Sequence, residues 1–469
     1  MHLYLLLGWF LLFAQTAHAG ARMDRPVKVS YPGGKSYFFR LELKDKSGTP
    51  YTLDHPELFL SSRAIERRRR QHLAVDSTDL PLSPSYLRQI VDRHVEIVAR
   101  SKWNNTVLVR STSSEKAVGL QQLPFVRKVT LVFTSPDSIV APRRSKFREA
   151  FNHWDTIPSD PYGITKKQIE SLNGIRLHHS GFRGYGMLIA VLDGGFMNVD
   201  KIPAMQSVKF AGFRNFVYPS SASIFQEIDH GTMVLSTMAV EIPNVYVGTA
   251  PKASYLLLRS EDYQSESSAE EDYWASAAEY ADSAGVDIIN SSLGYHDFDD
   301  KQTNYAYRYL DGRHALISRT ASMLADKGIL LVCSAGNEGM GTWKKINFPA
   351  DAKDIIAVGS IGSNGLNMAF SSVGPTADGR VKPDVMAPGN PVAVLSGRGS
   401  VINDMGTSFS APLISGLAAC LWQALPEMTV RELIDVIKRS SNQYEYPDNI
   451  MGYGVPDFWK AYQMGKKER

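Results

Sequence analysis

The sequence predicts an α/β protein whose main body is a parallel β-sheet sandwiched by helices, preceded by a small α+β unit. Three observations lead there. From about residue 161 onward, near-continuous apolar runs rich in β-branched residues alternate with helical stretches, as in a parallel sheet covered on both faces. Before residue 135, shorter strand-like segments flank helical ones. Between them, residues 135–160 are rich in Pro, Asp, Ser and basic residues and read as an exposed linker.

The elements follow in order. Leu3 to Phe13 is an apolar run too short to span a bilayer, and Ala17-His-Ala19 follows as a small-x-small cleavage site, so residues 1–19 are expected to be a signal peptide. The expected small domain covers 20–134. In it Ser36 to Leu43 alternates as a strand, and Leu60 to His72 reads as a helix capped by Ser61 or Ser62. The Glu66–Arg70 run on that helix reads as a solvated face, with a processing site as the sharper option. Then come a strand (Thr106 to Arg110), a helix (Ser113 to Leu123, capped by Ser113 or Ser114) and a strand (Val126 to Val132). In the larger unit, 161–469, strands are expected at Met187–Leu192, Ser254–Arg259, Val286–Ser291, Ile329–Ser334 and Ile355–Val358. Helices are expected at Ser268–Ala284, Ala315–Lys327, Ser408–Ala424 and Val430–Ser440.

Composition excludes several classes. With 43% hydrophobic and 21% charged residues the chain can bury a sizeable core. Two cysteines, Cys333 and Cys420, rule out a disulfide scaffold; both sit in apolar segments and read as buried thiols, with a single disulfide as the alternative. Net charge is +3, unevenly spread: residues 21–150 hold 24 Lys+Arg against 13 Asp+Glu, whereas 151–469 hold 27 against 35. Opposite signs favour docking of the two halves, weakened by salt. The basic half carries no nucleic-acid motif, so that partner is not expected.

Four short segments carry chemistry. Asp193 closes Ile189-Ala-Val-Leu-Asp-Gly-Gly195. His230 lies in Asp229-His-Gly-Thr232, Asn337 in Ser334-Ala-Gly-Asn-Glu-Gly339, and Ser408 in Gly406-Thr-Ser-Phe-Ser-Ala-Pro412. A hydroxyl is a weak nucleophile until a base removes its proton, and a base needs an acid to orient it. Ser408 opens an apolar helix, so its backbone N–H is free to bind a developing oxyanion, with the Asn337 amide as a side-chain donor. Asp193 and Asn337 each follow a strand's last residues, where α/β sheets place their crevice. Each motif alone has a bland reading: a turn aspartate, a surface histidine, a turn asparagine, an N-cap serine.

Together, in the chain order Asp, His, Ser, the four resemble the subtilisin-like serine proteases (subtilases, peptidase family S8) of the secreted bacterial type with an N-terminal pro-domain; that order is a general illustration of the family. Gly248-Thr-Ala-Pro251, Phe370-Ser-Ser-Val-Gly374 and Lys382-Pro-Asp-Val-Met-Ala-Pro-Gly389 extend the resemblance over about residues 161–460. It implies a serine endopeptidase made as a zymogen, acting through an acyl-enzyme on Ser408, with a ferredoxin-like pro-domain that inhibits and assists folding. It also implies peptide or protein substrates, secretion or a periplasmic location, and no membrane anchor. Catalytic roles fall on Asp193, His230, Ser408 and Asn337. Substrate contacts fall on Ser291, Ser292, Leu293, Gly294, Ser334, Ala335, Gly336 and Asn347, the last at the floor of the specificity pocket, where relatives often carry Gly. Gly194, Met233 and Phe409 depart from residues common in the family without removing a catalytic atom. Structural calcium is common in relatives, but no acidic loop assigns a site, and no other metal or cofactor is implied. The acidic stretch Ser265–Asp272 reads as a solvated helix start, or else as a reader of basic substrate residues. The competing function is a catalytically silent relative that binds peptides.

Overall fold

A computed structural model describes residues 28–32, 34–140, 160–219, 221 and 223–468. The expected signal segment, 1–19, and the linker residues 141–159 lie outside the described residues.

Seven parallel strands form the main sheet, in the order Val385–Asn390, Ile356–Gly362, Leu330–Ser334, Ile288–Ser291, Leu188–Asp193, Ser254–Arg259 and Lys209–Asn215. The central strand shows why the sheet is buried on both sides. Ile189 and Val191 face one apolar cluster with Leu413, Leu417 and Leu421 of the helix Thr407–Ala424. Leu188, Ala190 and Leu192 face the other, with Trp274, Ala277 and Ala281 of the helix Ala269–Ala284. A period-2 pattern with both phases apolar can only be satisfied between two helical layers.

The five expected strands and four expected helices are present, with ends shifted by a few residues. Two strands escaped sequence reading. Lys209–Asn215 is an edge strand, largely exposed, without an apolar run. Val385–Asn390 contains Pro388 and Gly389, which argue against a strand but are tolerated at a sheet edge.

The N-terminal unit is a four-stranded antiparallel sheet in the order Glu96–Ser101, Thr106–Ser111, Tyr37–Leu43, Val126–Thr134. With the helices Pro84–Val91 and Lys116–Gln121, this gives the expected ferredoxin-like arrangement. Leu41, Val107, Val109 and Leu120 form its own core. Its other face, with Phe38, Leu108, Ala99 and Trp103, shares a cluster with Trp274 and Ala277 of the larger unit. Ser61 is the N-cap of the helix Ser62–Arg70, accepting from the Ala64 N–H. The helix Lys116–Gln121 instead starts after Glu115 without a side-chain cap, so neither Ser113 nor Ser114 plays that part. Residues 135–140, expected as linker, continue this unit: Ser135 is buried against Ser36, and Ser138–Val140 pairs with Lys28–Ser30.

The Glu66–Arg70 run is not a solvated face. Arg67 and Arg68 are 2% and 1% exposed. Arg67 donates to Asp282 Oδ1 at 2.5 Å and to the carbonyls of Val286 (2.6 Å) and Lys327 (3.0 Å). Those carbonyls lie at or just beyond helix C-termini, where unsatisfied acceptors and a negative dipole end favour a cation. Arg68 bridges Asp79 and Asp282, and Lys327 reaches back to Asp76, Thr78 and Asp79. Cys333 and Cys420 are buried free thiols. Among the described residues no helix is long and apolar enough to cross a membrane.

Candidate active site

Asp193 is the last residue of the strand Leu188–Asp193 and is fully buried. One carboxylate oxygen accepts from the Gly194 N–H at 2.8 Å. His230 begins the helix His230–Ala239. Its Nδ1 donates to both Asp193 oxygens, at 2.9 and 3.0 Å, which leaves the Nε2 lone pair free. Gly231 permits the approach, since a Cβ there would lie 2.5 Å from the Gly195 carbonyl. Burial works to lower the imidazole pKa, but the charge and hydrogen bond of Asp193 outweigh it and leave His230 raised to about 9. Phe409, in place of the family's usual Met, packs against the ring at 5.8 Å.

Ser408 is the second residue of the buried helix Thr407–Ala424. Pro412 lies four residues on and has no N–H to give the Ser408 carbonyl. Ser292 Oγ supplies the missing donor at 2.8 Å. In return the Ser408 hydroxyl donates to the Ser292 carbonyl at 3.3 Å. It makes no hydrogen bond to His230 here, although both side chains line the same cleft. Such contacts often tighten only when substrate enters.

Asn337 follows the strand Leu330–Ser334 after a turn at Gly336, whose φ is +107°. Its Oδ1 accepts from the backbone N–H and the hydroxyl of Thr407, both at 3.0 Å. A backbone N–H can only donate, so the facing atom is the carbonyl oxygen and the amide NH2 points away, free to donate. A Cβ at Gly406 would sit 3.6 Å from Asn337 Nδ2 and 3.8 Å from the Ser408 N–H. Two free donors therefore border one space that only glycine leaves open, which suits a developing oxyanion.

Of the expected substrate contacts, Ser292, Leu293, Gly294, Ser334, Gly336 and Asn347 line this cleft. Ser291 and Ala335 do not. Ser291 Oγ turns away to accept from Trp274 Nε1, and Ala335 is buried with its carbonyl bonded to the Asn347 N–H. Strand alternation explains Ser291: neighbouring residues face opposite sides. The stretch Ser265–Asp272 is not a solvated helix start. Glu270 binds the Asp262 and Ser267 N–H groups, Glu271 accepts from the Ile317 N–H, and Asp272 pairs with Arg40. Only Glu266 of that stretch reaches the cleft, joined by Glu261, Tyr263, Glu338 and Thr407, which sequence reading missed. Single residues on loops carry no pattern, but the Gly194 departure was a usable signal: a Cβ at 194 would meet Glu261 Oε2 at 2.8 Å. Among the described residues no three His, Cys, Asp or Glu side chains converge as metal ligands would.

The profile of the "Subtilase family" matches residues 184–454, and that of a "Peptidase S8 propeptide domain, Bacteroidota" matches residues 39–149. Subtilisin NAT of Bacillus subtilis subsp. natto is 30% identical over 299 residues, covering 63% of this chain and 69% of that protein. The subtilisin of Bacillus pumilus is 29% identical over 60% of this chain and 92% of its own. An alkaline protease of Shouchella clausii is 25% identical over 77% of this chain and 86% of its own.

Proposed function

Given that the chain belongs to the subtilase family of serine endopeptidases and carries its own S8 propeptide domain, we propose that it cleaves peptide bonds through an acyl-enzyme on Ser408. His230 Nε2 takes the Ser408 proton as the oxygen attacks the scissile carbonyl, and returns it to the leaving amine. Asp193 holds Nδ1 protonated and stabilises the imidazolium. The Asn337 amide and the Ser408 N–H receive the oxyanion, an arrangement whose single donors are worth about 10²–10³ in turnover. Water then repeats the sequence to free the acid. Ser292, Leu293, Gly294, Ser334, Gly336 and Asn347 bound the substrate.

The observation that carries this reading is the fixed Asn337 amide beside the free Ser408 N–H, because neither a structural asparagine nor an N-cap serine requires that pairing. We further propose secretion after removal of residues 1–19, a zymogen whose pro-domain runs through the strand Ser138–Val140, and maturation between residues 141 and 160. The secreted product should hydrolyse casein and show by mass an N-terminus within residues 141–160; Ser408→Ala should do neither and should begin near residue 20. A full-length Ser408→Ala that still matures alone would contradict self-processing. The alternative, a silent peptide-binding relative, draws support from the Ser408 hydroxyl resting on Ser292. Turnover that is lost in Ser408→Ala would exclude it.

A further inference from the structure

The cleft is lined by three carboxylates, Glu261, Glu266 and Glu338, and by no Lys or Arg among its described residues. None of the three carboxylates has a hydrogen bond or ion pair within the described chain. An adjoining hollow adds Asp262 and Asp299 to Glu261 and Glu266. Asp262 is answered there by the Tyr31 and Tyr218 hydroxyls, and Asp299 by the Glu266 N–H. The carboxyl groups without a partner are the ones that face the cleft.

A further observation sets these carboxyls beside the Asp193–His230 pair rather than on an open surface. Glu261 occupies the volume that a side chain at 194 would need, next to the Asp193–His230 pair. Burial, then Glu266, then Asp193 push Glu261 up to about 8 against the pull of His230 and Arg259. Burial, then Asp299 and Asp297, push Glu266 up to about 7. Crowded carboxylates of this kind are relieved by a cation placed among them.

We propose that the cleft selects peptides carrying Lys or Arg close to the scissile bond, with Glu261 and Glu266 as the residues that read the charge. This rests on the peptidase reading above and names its substrate class. The cationic head would sit between the two carboxylates, and electrostatic complementarity would favour such peptides over neutral ones of equal size.

The test compares kcat/KM of the matured full-chain enzyme on paired peptides that differ only in Arg or citrulline, scanned through the positions around the cut. One pair copies residues 139–146, which carry Arg143, Arg144 and Lys146. At one or more positions Arg should be preferred about tenfold or more, equivalent to about 1.4 kcal/mol. The preference should shrink at high salt. In Glu261→Gln or Glu266→Gln the Arg-to-citrulline ratio should fall about tenfold, a readout that a change in folding alone would not move. A ratio near one at every position, or one unchanged in both variants, would overturn the inference and leave the peptidase reading intact. Failure to cleave any peptide would instead remove the reading on which it rests.

Discussion

The helix Ala269–Ala284 and the cleft both present carboxylates, but only the helix has them answered within the chain. Its Asp272 meets Arg40, its Asp282 meets Arg67 and Arg68, and its Glu279 accepts from the Ser101 hydroxyl and the Lys102 and Trp103 N–H groups. Every one of those donors belongs to the N-terminal unit. In the cleft, Glu261, Glu266 and Glu338 face open space. A buried charge is tolerated when it is paired and bonded. The first surface is therefore complete once the chain has folded, whereas the second awaits something from outside.

The comparison is sharpest at Asp193, a fully buried carboxylate behind the cleft that is answered within the chain. Asp193→Asn removes the charge that orients His230, and turnover should fall by about 10⁴. In the proposed mechanism the neutral imidazole is the active base. With His230 raised to about 9, kcat/KM should climb with pH up to about that value. The sign for stability is the reverse. A histidine raised from 6.5 contributes fully below 6.5, and the contribution is lost as pH rises through 9. Whatever activity remains in Asp193→Asn should have its midpoint at lower pH. A profile unchanged by the substitution would contradict the role given to Asp193.

Next in size is the interface. Asp282→Ala leaves Arg67 and Arg68 buried beside the space that held their partner, at a cost of about 3–5 kcal/mol. Urea unfolding of the full chain, kept uncut by Ser408→Ala, would measure it. Because these pairs are shielded from solvent, added salt should change that stability by less than about 1 kcal/mol. This sharpens the expectation drawn from net charge alone: only the more exposed pairs, such as Arg63–Asp287, should respond to salt.

Ser292→Ala should cost about 1–3 kcal/mol, because the Ser408 carbonyl would lose the donor that Pro412 cannot supply. The loss should appear in both thermal stability and kcat, since the same bond positions the nucleophile. The smallest change is Asn347→Gly. Asn347 packs against Gly294 and Gly336, so its removal should deepen the pocket and raise kcat/KM for large aromatic side chains about tenfold, or about 1.4 kcal/mol. A native enzyme that already prefers such side chains strongly would contradict the reading that Asn347 in place of Gly limits the depth of the pocket.

Asp193, His230, Asn337 and Ser408 were legible as candidates because each sits in a short local motif whose glycines leave room for close approach. The central strands were legible because both phases of their alternation are apolar. Arg67 and Arg68 were not, because their partner Asp282 is more than 200 residues away. From sequence alone, a run of arginines is indistinguishable from a wet helix face. Glu261 was hidden for a similar reason: only the folded chain brings it against Gly194. That the Ser291 side chain turns from the cleft was not legible, because a motif does not say which face of its strand each residue takes.

The proposed relay from Asp193 through His230 to Ser408 is most directly tested by the rate at which a fluorophosphonate labels the protein, each variant matured in trans by the unmodified enzyme. The expected result is one adduct, on Ser408, forming faster as pH approaches 9 and at least about 10³-fold slower in His230→Ala. Labelling elsewhere, no labelling, or an equal rate without His230 would contradict the account.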